Sequence, residues 1–96
     1  MVDDDFEWDE AKAAANIRKH KISFQEACRV FDDLFVLIEQ DLNEDFGEDR
    51  YIATGLVEGV LLTVIYTERG VRIRIISARK ADSNEQREYY RSQAPS

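Results

Sequence analysis

Residues 50–67 read RYIATGLV-EG-VLLTVIYT, and this stretch decides the fold. Two runs rich in β-branched and aromatic residues, Arg50–Val57 and Val60–Thr67, flank the pair Glu58-Gly59. A two-residue link that contains glycine is typical of a tight hairpin turn. We therefore predict two antiparallel strands here, at the centre of a sheet.

Similar β-rich runs lie on either side of this hairpin. Leu34–Gln40 precedes it across the acidic segment Asp41–Asp49, and Val71–Ala78 follows it after a short Glu68-Arg69-Gly70 link. We expect a four-stranded antiparallel sheet whose last three strands form a meander. A short strand at Phe6–Trp8 is an optional addition at the sheet edge.

The last predicted strand carries charge on one face. The two-residue period of a strand predicts that Arg72, Arg74 and Ile76 share one face, and that Ile73, Ile75 and Ser77 share the other. This strand is therefore expected to present arginines from a sheet that is otherwise apolar.

Three helices are predicted around the sheet. Residues 9–20 open with acids and close with Arg18-Lys19-His20, the charge order that suits a helix dipole. Ser23 and Glu26 have the spacing of a capping box, which predicts a second helix over about residues 24–31. Asp82 or Ser83 caps a C-terminal helix that runs to about Tyr90. The expected fold is α+β, with two N-terminal helices packed on the four-stranded antiparallel sheet and a C-terminal helix.

Composition restricts the class of protein. The chain has 96 residues, of which 44% are hydrophobic and 34% are charged, and it contains one cysteine, Cys28. A chain of this size supports one core, so we expect a single domain over residues 1–96. The acidic N-terminus lacks the features of a secretory signal, and no apolar run reaches the roughly 20 residues that span a bilayer. We expect a cytoplasmic protein with no membrane association, no disulfide and no bound metal.

Charge is segregated along the chain although the net charge is −7. Residues 32–49 carry eight acids and no base, whereas five cations fall within residues 69–80. These five are Arg69, Arg72, Arg74, Arg79 and Lys80. Such blocks permit a phosphate-binding site, but they are equally typical of a solvated surface.

No conventional catalytic motif is present, which leaves phosphate chemistry by cations. Arginine binds two phosphate oxygens at once and stays charged at any working pH. His20 is the acid–base candidate, because imidazole exchanges a proton near neutral pH, but a histidine at a helix C-terminus also serves as a dipole partner. Arg79 has two alternatives, a phosphate ligand or an ion pair with Asp82 or Glu85.

Several fragments in order resemble one family, the BrnT toxins. The N-terminal fragments are Phe6-Glu7-Trp8-Asp9, Lys12, Asn16, Lys19-His20 and Ile22-Ser23-Phe24-Gln25-Glu26-Ala27. The C-terminal fragments are Arg50, Gly55, Tyr66-Thr67-Glu68-Arg69-Gly70, Arg74-Ile75-Ile76-Ser77-Ala78-Arg79-Lys80-Ala81, Glu85, Arg87 and Tyr90. Together they extend over roughly residues 6–90, and their order and spacing make the resemblance specific.

The resemblance implies a fold similar to the RelE-type ribonuclease toxins, with helices on one side of a twisted antiparallel sheet. It also implies metal-independent, cofactor-free RNA cleavage that inhibits translation and growth. The implied partner is a BrnA-like antitoxin, a DNA-binding protein that neutralises the toxin in a hetero-oligomer. The catalytic positions would be His20, Arg50, Arg74 and Arg79. The RNA-binding positions would be Lys19, Tyr66, Ser77 and Lys80.

The alternative function is a non-catalytic protein-binding module that docks a DNA-binding partner. Gathering of the four catalytic candidates into one patch would favour the enzyme, and their dispersal over separate faces would favour the binding module.

Overall fold

The computed structural model describes residues 4–42 and 47–94, and shows an α+β fold. In chain order the elements are β1 Phe6–Glu7, α1 Glu10–His20, α2 Phe24–Cys28, a 3₁₀ turn Arg29–Asp32, β2 Leu37–Asp41, β3 Arg50–Val57, β4 Val60–Arg69, β5 Arg72–Lys80 and α3 Ser83–Arg91. Part of the acidic segment before β3, residues 43–46, lies outside the described residues.

The sheet has five strands in the order β1-β5-β4-β3-β2. The meander from β2 to β5 is antiparallel as predicted, but β1 joins the edge in parallel with β5, with Phe6 beside Ile73 and Glu7 beside Arg74. The short strand predicted at Phe6–Trp8 as an addition to the sheet edge is therefore present as β1. The prediction of a purely antiparallel, four-stranded sheet is wrong, because this fifth strand is parallel to its neighbour.

The hairpin between β3 and β4 forms where the sequence predicts it. Glu58 and Gly59 have φ values of 51° and 83°, both in the left-handed region. A two-residue turn with positive φ at both positions matches the right-handed twist of the strands that it joins. The turn therefore fixes the register in which Val57 faces Val60.

Side-chain caps begin the helices. The Asp9 carboxylate accepts a hydrogen bond from the Lys12 backbone N–H at the start of α1. Ser23 and Glu26 form the predicted capping box of α2, although regular α-helix ends at Cys28 and the predicted second helix continues only as the 3₁₀ turn. Asp82 caps α3 in the same way.

The main core lies between the sheet and the pair α1 and α2, as predicted. Trp8 packs edge-on against Phe24 at 5.9 Å between ring centroids, and both side chains are buried. Gly55 of β3 lets the 3₁₀ turn approach closely, because a Cβ at this position would lie 2.9 Å from the carbonyl oxygen of Val30. These contacts join the N-terminal half of the chain to the meander.

Helix α3 packs on the opposite face of the sheet. Its Tyr89 is 1% exposed and packs in a second cluster with Leu61 and Leu56. The Tyr89 hydroxyl donates to Asp33 Oδ2, which also accepts from the Leu56 backbone N–H. Burial and this hydrogen bond raise the pKa of Tyr89 to about 12. Helices therefore lie on both faces, in contrast to the one-sided arrangement implied by the resemblance.

The buried Asn16 attaches α1 to the edge of β5. Its amide nitrogen donates to the carbonyl oxygens of Ile22 and Ala78, at 2.9 and 2.8 Å, and its amide oxygen accepts from the Ala78 backbone N–H at 3.1 Å. Asn16 therefore satisfies the backbone of β5 beyond the two residues that β1 covers.

Candidate nucleic-acid interface

The strand register assigns the polar side chains to one face of the sheet, because cross-strand partners point in the same direction. We call the face opposite α1 and α2 the arginine face. It carries Glu7 of β1, Arg72, Arg74, Ser77 and Arg79 of β5, Thr63, Ile65, Thr67 and Arg69 of β4, and Arg50, Ile52 and Thr54 of β3.

One row of polar residues crosses the arginine face from edge to edge. Glu7 lies beside Arg74, Arg74 beside Thr67, and Arg50 beside Asp41. Continuing the β3–β4 register by one residue places Arg50 on the other side of Thr67. Two strand spacings separate Arg50 from Arg74, so their Cα atoms are about 10 Å apart. The row therefore has an acid at each end, two arginines inside and a threonine in the middle.

A bulge in β5 brings Ser77 to this face. Ile65 faces Ser77 while the next residue of β4, Tyr66, faces Ile75, so Ile76 is an extra residue in β5. An inserted residue shifts the alternation of the strand beyond it. The predicted grouping of Ser77 with Ile73 and Ile75 is therefore wrong, and Ser77 shares the face of Arg74 and Arg79.

Arg79 is held by a carboxylate of α3. Its two terminal nitrogens donate to the Oε atoms of Glu85 at 2.7 and 2.9 Å, and Nη1 also donates to the Lys80 carbonyl oxygen. Glu85 in turn accepts from the Asp82 backbone N–H. The Glu85 hydrogen bonds raise the pKa of Arg79, and they outweigh burial to lower the pKa of Glu85. These bonds use three of the five guanidinium N–H groups.

Arg74 and Arg50 also have acidic neighbours. Arg74 Nη1 lies 2.7 Å from Glu7 Oε2, and their side chains are 27% and 15% exposed. Arg50 Nε lies 3.8 Å from Glu48 Oε1. Sequence reasoning did not identify Glu7 as a neighbour of the candidate site, because only its pairing with β5 shows that it faces Arg74. Arg50, Arg74 and Arg79 therefore each stand beside a carboxylate.

Lys19 and His20 lie at the C-terminal end of α1 rather than on the arginine face. The Lys12 backbone N–H is the main cause that lowers the pKa of Asp9, and the charge of Arg74 adds to the effect. Asp9, which caps α1, therefore lies near Arg74. Asn16 then contacts Ala78, and His20 lies one helical turn further along the same side. Within residues 4–42 and 47–94, no hydrogen bond or ion pair joins His20 to the three arginines.

Two predicted RNA contacts lie away from this face. Tyr66 is 4% exposed and packs in the main core, with its ring 5.1 Å from Phe31 and 5.4 Å from Tyr51. Burial is the largest cause that raises the pKa of its hydroxyl. This side chain is inaccessible to RNA, which corrects its predicted role. Lys80 is exposed but pairs with Leu62, so it points away from Arg79 at the end of β5.

The described part of the chain lacks two further features. Its residues include no group of three or more acidic, histidine or cysteine side chains placed to hold a metal ion. None of its helices combines the length and the apolar character that crossing a membrane requires.

Comparison with known proteins gives the family. No curated protein matches the chain. The family model described as the ribonuclease toxin BrnT of type II toxin–antitoxin systems matches residues 8–85, a range that includes α1, α2, the whole meander and the start of α3. All four catalytic candidates and Glu85 lie inside this range. The chain therefore belongs to the BrnT family of ribonuclease toxins, whose partners are antitoxins.

Proposed function

We propose that this chain is an endoribonuclease that cleaves RNA on the arginine face without a metal ion, and that a BrnA-like antitoxin neutralises it. One observation carries the proposal: Arg50, Arg74 and Arg79 come from two strands onto a single face, where the bulge adds Ser77. Family membership supports the substrate class. Cytoplasmic RNA in translation is the proposed target, and arrest of growth is the proposed result.

The chemistry needs charge stabilisation more than it needs a covalent nucleophile from the protein. The ribose 2′-hydroxyl gives up its proton to water and its oxygen attacks phosphorus, so that the P–O5′ bond breaks and a 2′,3′-cyclic phosphate forms. Negative charge builds on the non-bridging oxygens during this step, and fixed cations lower the energy of that state. Arg74 and Arg50 straddle Thr67, so they can bind the phosphate backbone from both sides. Arg79 lies on β5 beyond Ser77, where it is positioned to contact the same strand of RNA.

The acidic partners orient the arginines without using all of their donors. Glu85 occupies one edge of the Arg79 guanidinium and leaves Nε and one further N–H for an incoming phosphate. Glu7 accepts a bond from one nitrogen of Arg74 and leaves the remainder. A side chain held in one direction loses less entropy when it binds, which favours charge stabilisation by preorganised groups.

His20 is the proposed proton-transfer group, with Lys19 and Lys80 as peripheral phosphate contacts. Asn16 fixes α1 along β5, and His20 follows on the same side of the helix, toward the end of the strand where Arg79 lies. This placement supports a role at the margin of the arginine face. A proton donor there would serve the leaving 5′-oxygen.

The second candidate function is a binding module without catalysis. The carboxylates beside Arg50, Arg74 and Arg79 favour it, because such pairs also occur purely as structural contacts. In that case the arginine face would dock the antitoxin but would cleave nothing.

The deciding experiment measures cleavage of free RNA with and without EDTA, and cleavage of RNA in translating ribosomes in the magnesium that ribosomes require. Arg79→Ala is compared with Arg29→Ala, a matched control, because Arg29 also pairs with a glutamate, Glu58 at 3.0 Å, and lies outside the arginine face. We expect Arg79→Ala to lower the cleavage rate about 100-fold or more, as for loss of a charge-stabilising donor. Arg29→Ala should stay within about twofold.

Three results would overturn the proposal. Absence of cleavage by the unmodified chain on both substrates would leave the binding module. Equal loss in both variants would make Arg79 a structural residue. Cleavage abolished by EDTA and restored by a divalent cation would contradict the metal-independent mechanism. Melting temperatures of both variants separate loss of catalysis from loss of folding.

A further inference from the structure

The two edge strands of the sheet differ in what covers their outer backbone groups. At one edge, β1 pairs with the start of β5, and Asn16 satisfies the backbone of Ala78 further along. At the other edge lies β2, Leu37–Asp41, and among the described residues no strand pairs with its outer side. Among the described residues, the outward backbone groups of residues 37–40 therefore meet no partner strand and can pair with another one.

Exposed apolar side chains surround this edge. Leu34 is 95% exposed, Phe35 59%, Ile38 48% and Leu42 80%, and all four lie in or beside β2. A large hydrophobic residue left in water is unremarkable alone, but several of them in and beside one edge strand favour an interaction site. The edge therefore offers backbone hydrogen bonds and apolar contact together.

The alternation of β2 defines what a pairing strand must carry. Glu39 and Asp41 pair with Ile52 and Arg50, so they point to the arginine face, whereas Ile38 pairs with Ala53 and points to the other side. A strand added here would meet acids on one side and an aliphatic residue on the other. The complementary sequence alternates lysine or arginine with apolar residues.

A second copy of this chain does not fit that requirement. If β2 paired with its own copy in antiparallel fashion about Glu39, the two Glu39 carboxylates would lie directly opposite each other. A parallel pair in register would repeat the acids at both positions. Like charges placed opposite one another destabilise a strand pair, and a net charge of −7 on each chain adds to the repulsion.

We propose that the antitoxin adds an extended segment of alternating basic and apolar residues to the outer edge of β2. This inference rests on the antitoxin partner of the proposed function, and it gives that partner a docking strand outside the catalytic residues. Asp41 lies in the same cross-strand row as Arg50, so chain leaving the added strand can continue over the arginine face. Docking at β2 would thereby tether the part of the antitoxin that blocks RNA.

Residue-resolved amide hydrogen exchange tests the pairing directly. The chain is measured alone and in the complex purified by co-expression with its cognate antitoxin. We expect alternate amides within Leu37–Asp41, those that point away from β3, to exchange at least tenfold more slowly in the complex. Unchanged exchange in β2, with protection confined to other elements, would overturn the inference. Protection that rises with concentration in the chain alone would show a second copy as the occupant and would also overturn it.

A pair of double variants tests the side-chain chemistry. Ile38→Ser with Glu39→Lys removes the apolar contact and reverses the charge at β2. Val71→Ser with Glu68→Lys makes the same changes at exposed positions near the β4–β5 turn. We expect the first variant to lower antitoxin affinity at least tenfold and the second to stay within threefold, with melting temperatures confirming that both fold. Equal affinities for the two variants would refute the basic and apolar docking segment.

The nuclease assay on the unmodified chain keeps the two proposals separable. Protection of β2 in a chain that cleaves no RNA would leave the docking strand intact and remove the nuclease. If the chain cleaves RNA but its β2 amides stay unprotected in the complex, the nuclease stands and the docking strand is refuted.

Discussion

Replacing Asn16 with alanine should cost a large part of the stability of the protein. The Asn16 side chain is 7% exposed and makes three hydrogen bonds, two to Ala78 and one to Ile22. Alanine cannot replace any of them, and little water can reach the backbone groups left behind. Each lost bond contributes about 1 kcal/mol, and a buried group left unsatisfied costs about 1–3 kcal/mol.

We therefore expect Asn16→Ala to lower the free energy of unfolding by about 3–5 kcal/mol. A domain of this size has a total of about 5–14 kcal/mol, so the variant should be partly unfolded at elevated temperature. Asn16→Asp should behave differently with pH. Its carboxylate would face two carbonyl oxygens, which raises its folded pKa. Since the protonated form is then favoured by folding, stability should fall as the pH rises above the ordinary aspartate value of about 4.

Urea denaturation followed by circular dichroism measures both effects, with Asn84→Ala as a control at an exposed asparagine. The control should lie within about 0.5 kcal/mol of the unmodified chain. A loss below about 1 kcal/mol for Asn16→Ala would refute the reasoning, because it would mean that water or another donor replaces the amide. The same variant bears on function, since α1 carries His20 along β5.

Four further predictions concern the core and the helix contacts. Trp8→Ala should lower the free energy of unfolding by about 3–5 kcal/mol in urea denaturation, because Trp8 is 4% exposed, and a loss under about 1 kcal/mol would contradict its core position. Gly55→Ala should cost about 1–3 kcal/mol, since its Cβ would press on the backbone of the 3₁₀ turn, and unchanged stability would show that this turn moves freely. Burial raises the pKa of Asp33, but the hydrogen bonds from Leu56 and Tyr89 outweigh it and hold the pKa below its ordinary value. The stability that the ionised Asp33 contributes to the fold should therefore be lost as the pH falls below about 4. Because folding raises the pKa of Tyr89 to about 12, the protein should lose stability as the pH rises from about 10 to 12. Tyr89→Phe should remove this alkaline decline in melting temperature. A decline that persists in the variant would show that Tyr89 does not cause it.

Local rules predicted most of the elements of this fold. The Glu58-Gly59 turn, the capping box at Ser23 and Glu26, and the alternation of β3 and β4 each act within a few residues, and each is present in the structure. The pairing of β1 with β5 depends instead on residues 67 positions apart, such as Glu7 and Arg74. No local pattern encodes such a contact, which is why the sequence predicted a short strand at Phe6–Trp8 but not its parallel pairing with β5.

The candidate site was predicted in part. Arg50, Arg74 and Arg79 were identified from residue type and family resemblance, and the register places them on one face. Ser77 was assigned to the wrong face because a bulge inserts one residue without any change in composition. Tyr66 was chosen for its hydroxyl, but an aromatic ring in a central strand gains more from burial than from solvent exposure.

The long-range closure of β5 has a consequence for how the molecule is made. Synthesis proceeds from the N-terminus, so β1 and Asn16 leave the ribosome well before the strand that they contact, 62 to 67 residues later. Until β5 emerges, the nascent chain has neither its Arg74–Glu7 pair nor its Arg79–Glu85 pair. A chain released before β5 would lack Arg74 and Arg79 as well as the partner of Asn16. Assembly of the arginine face therefore waits until β5 has left the ribosome.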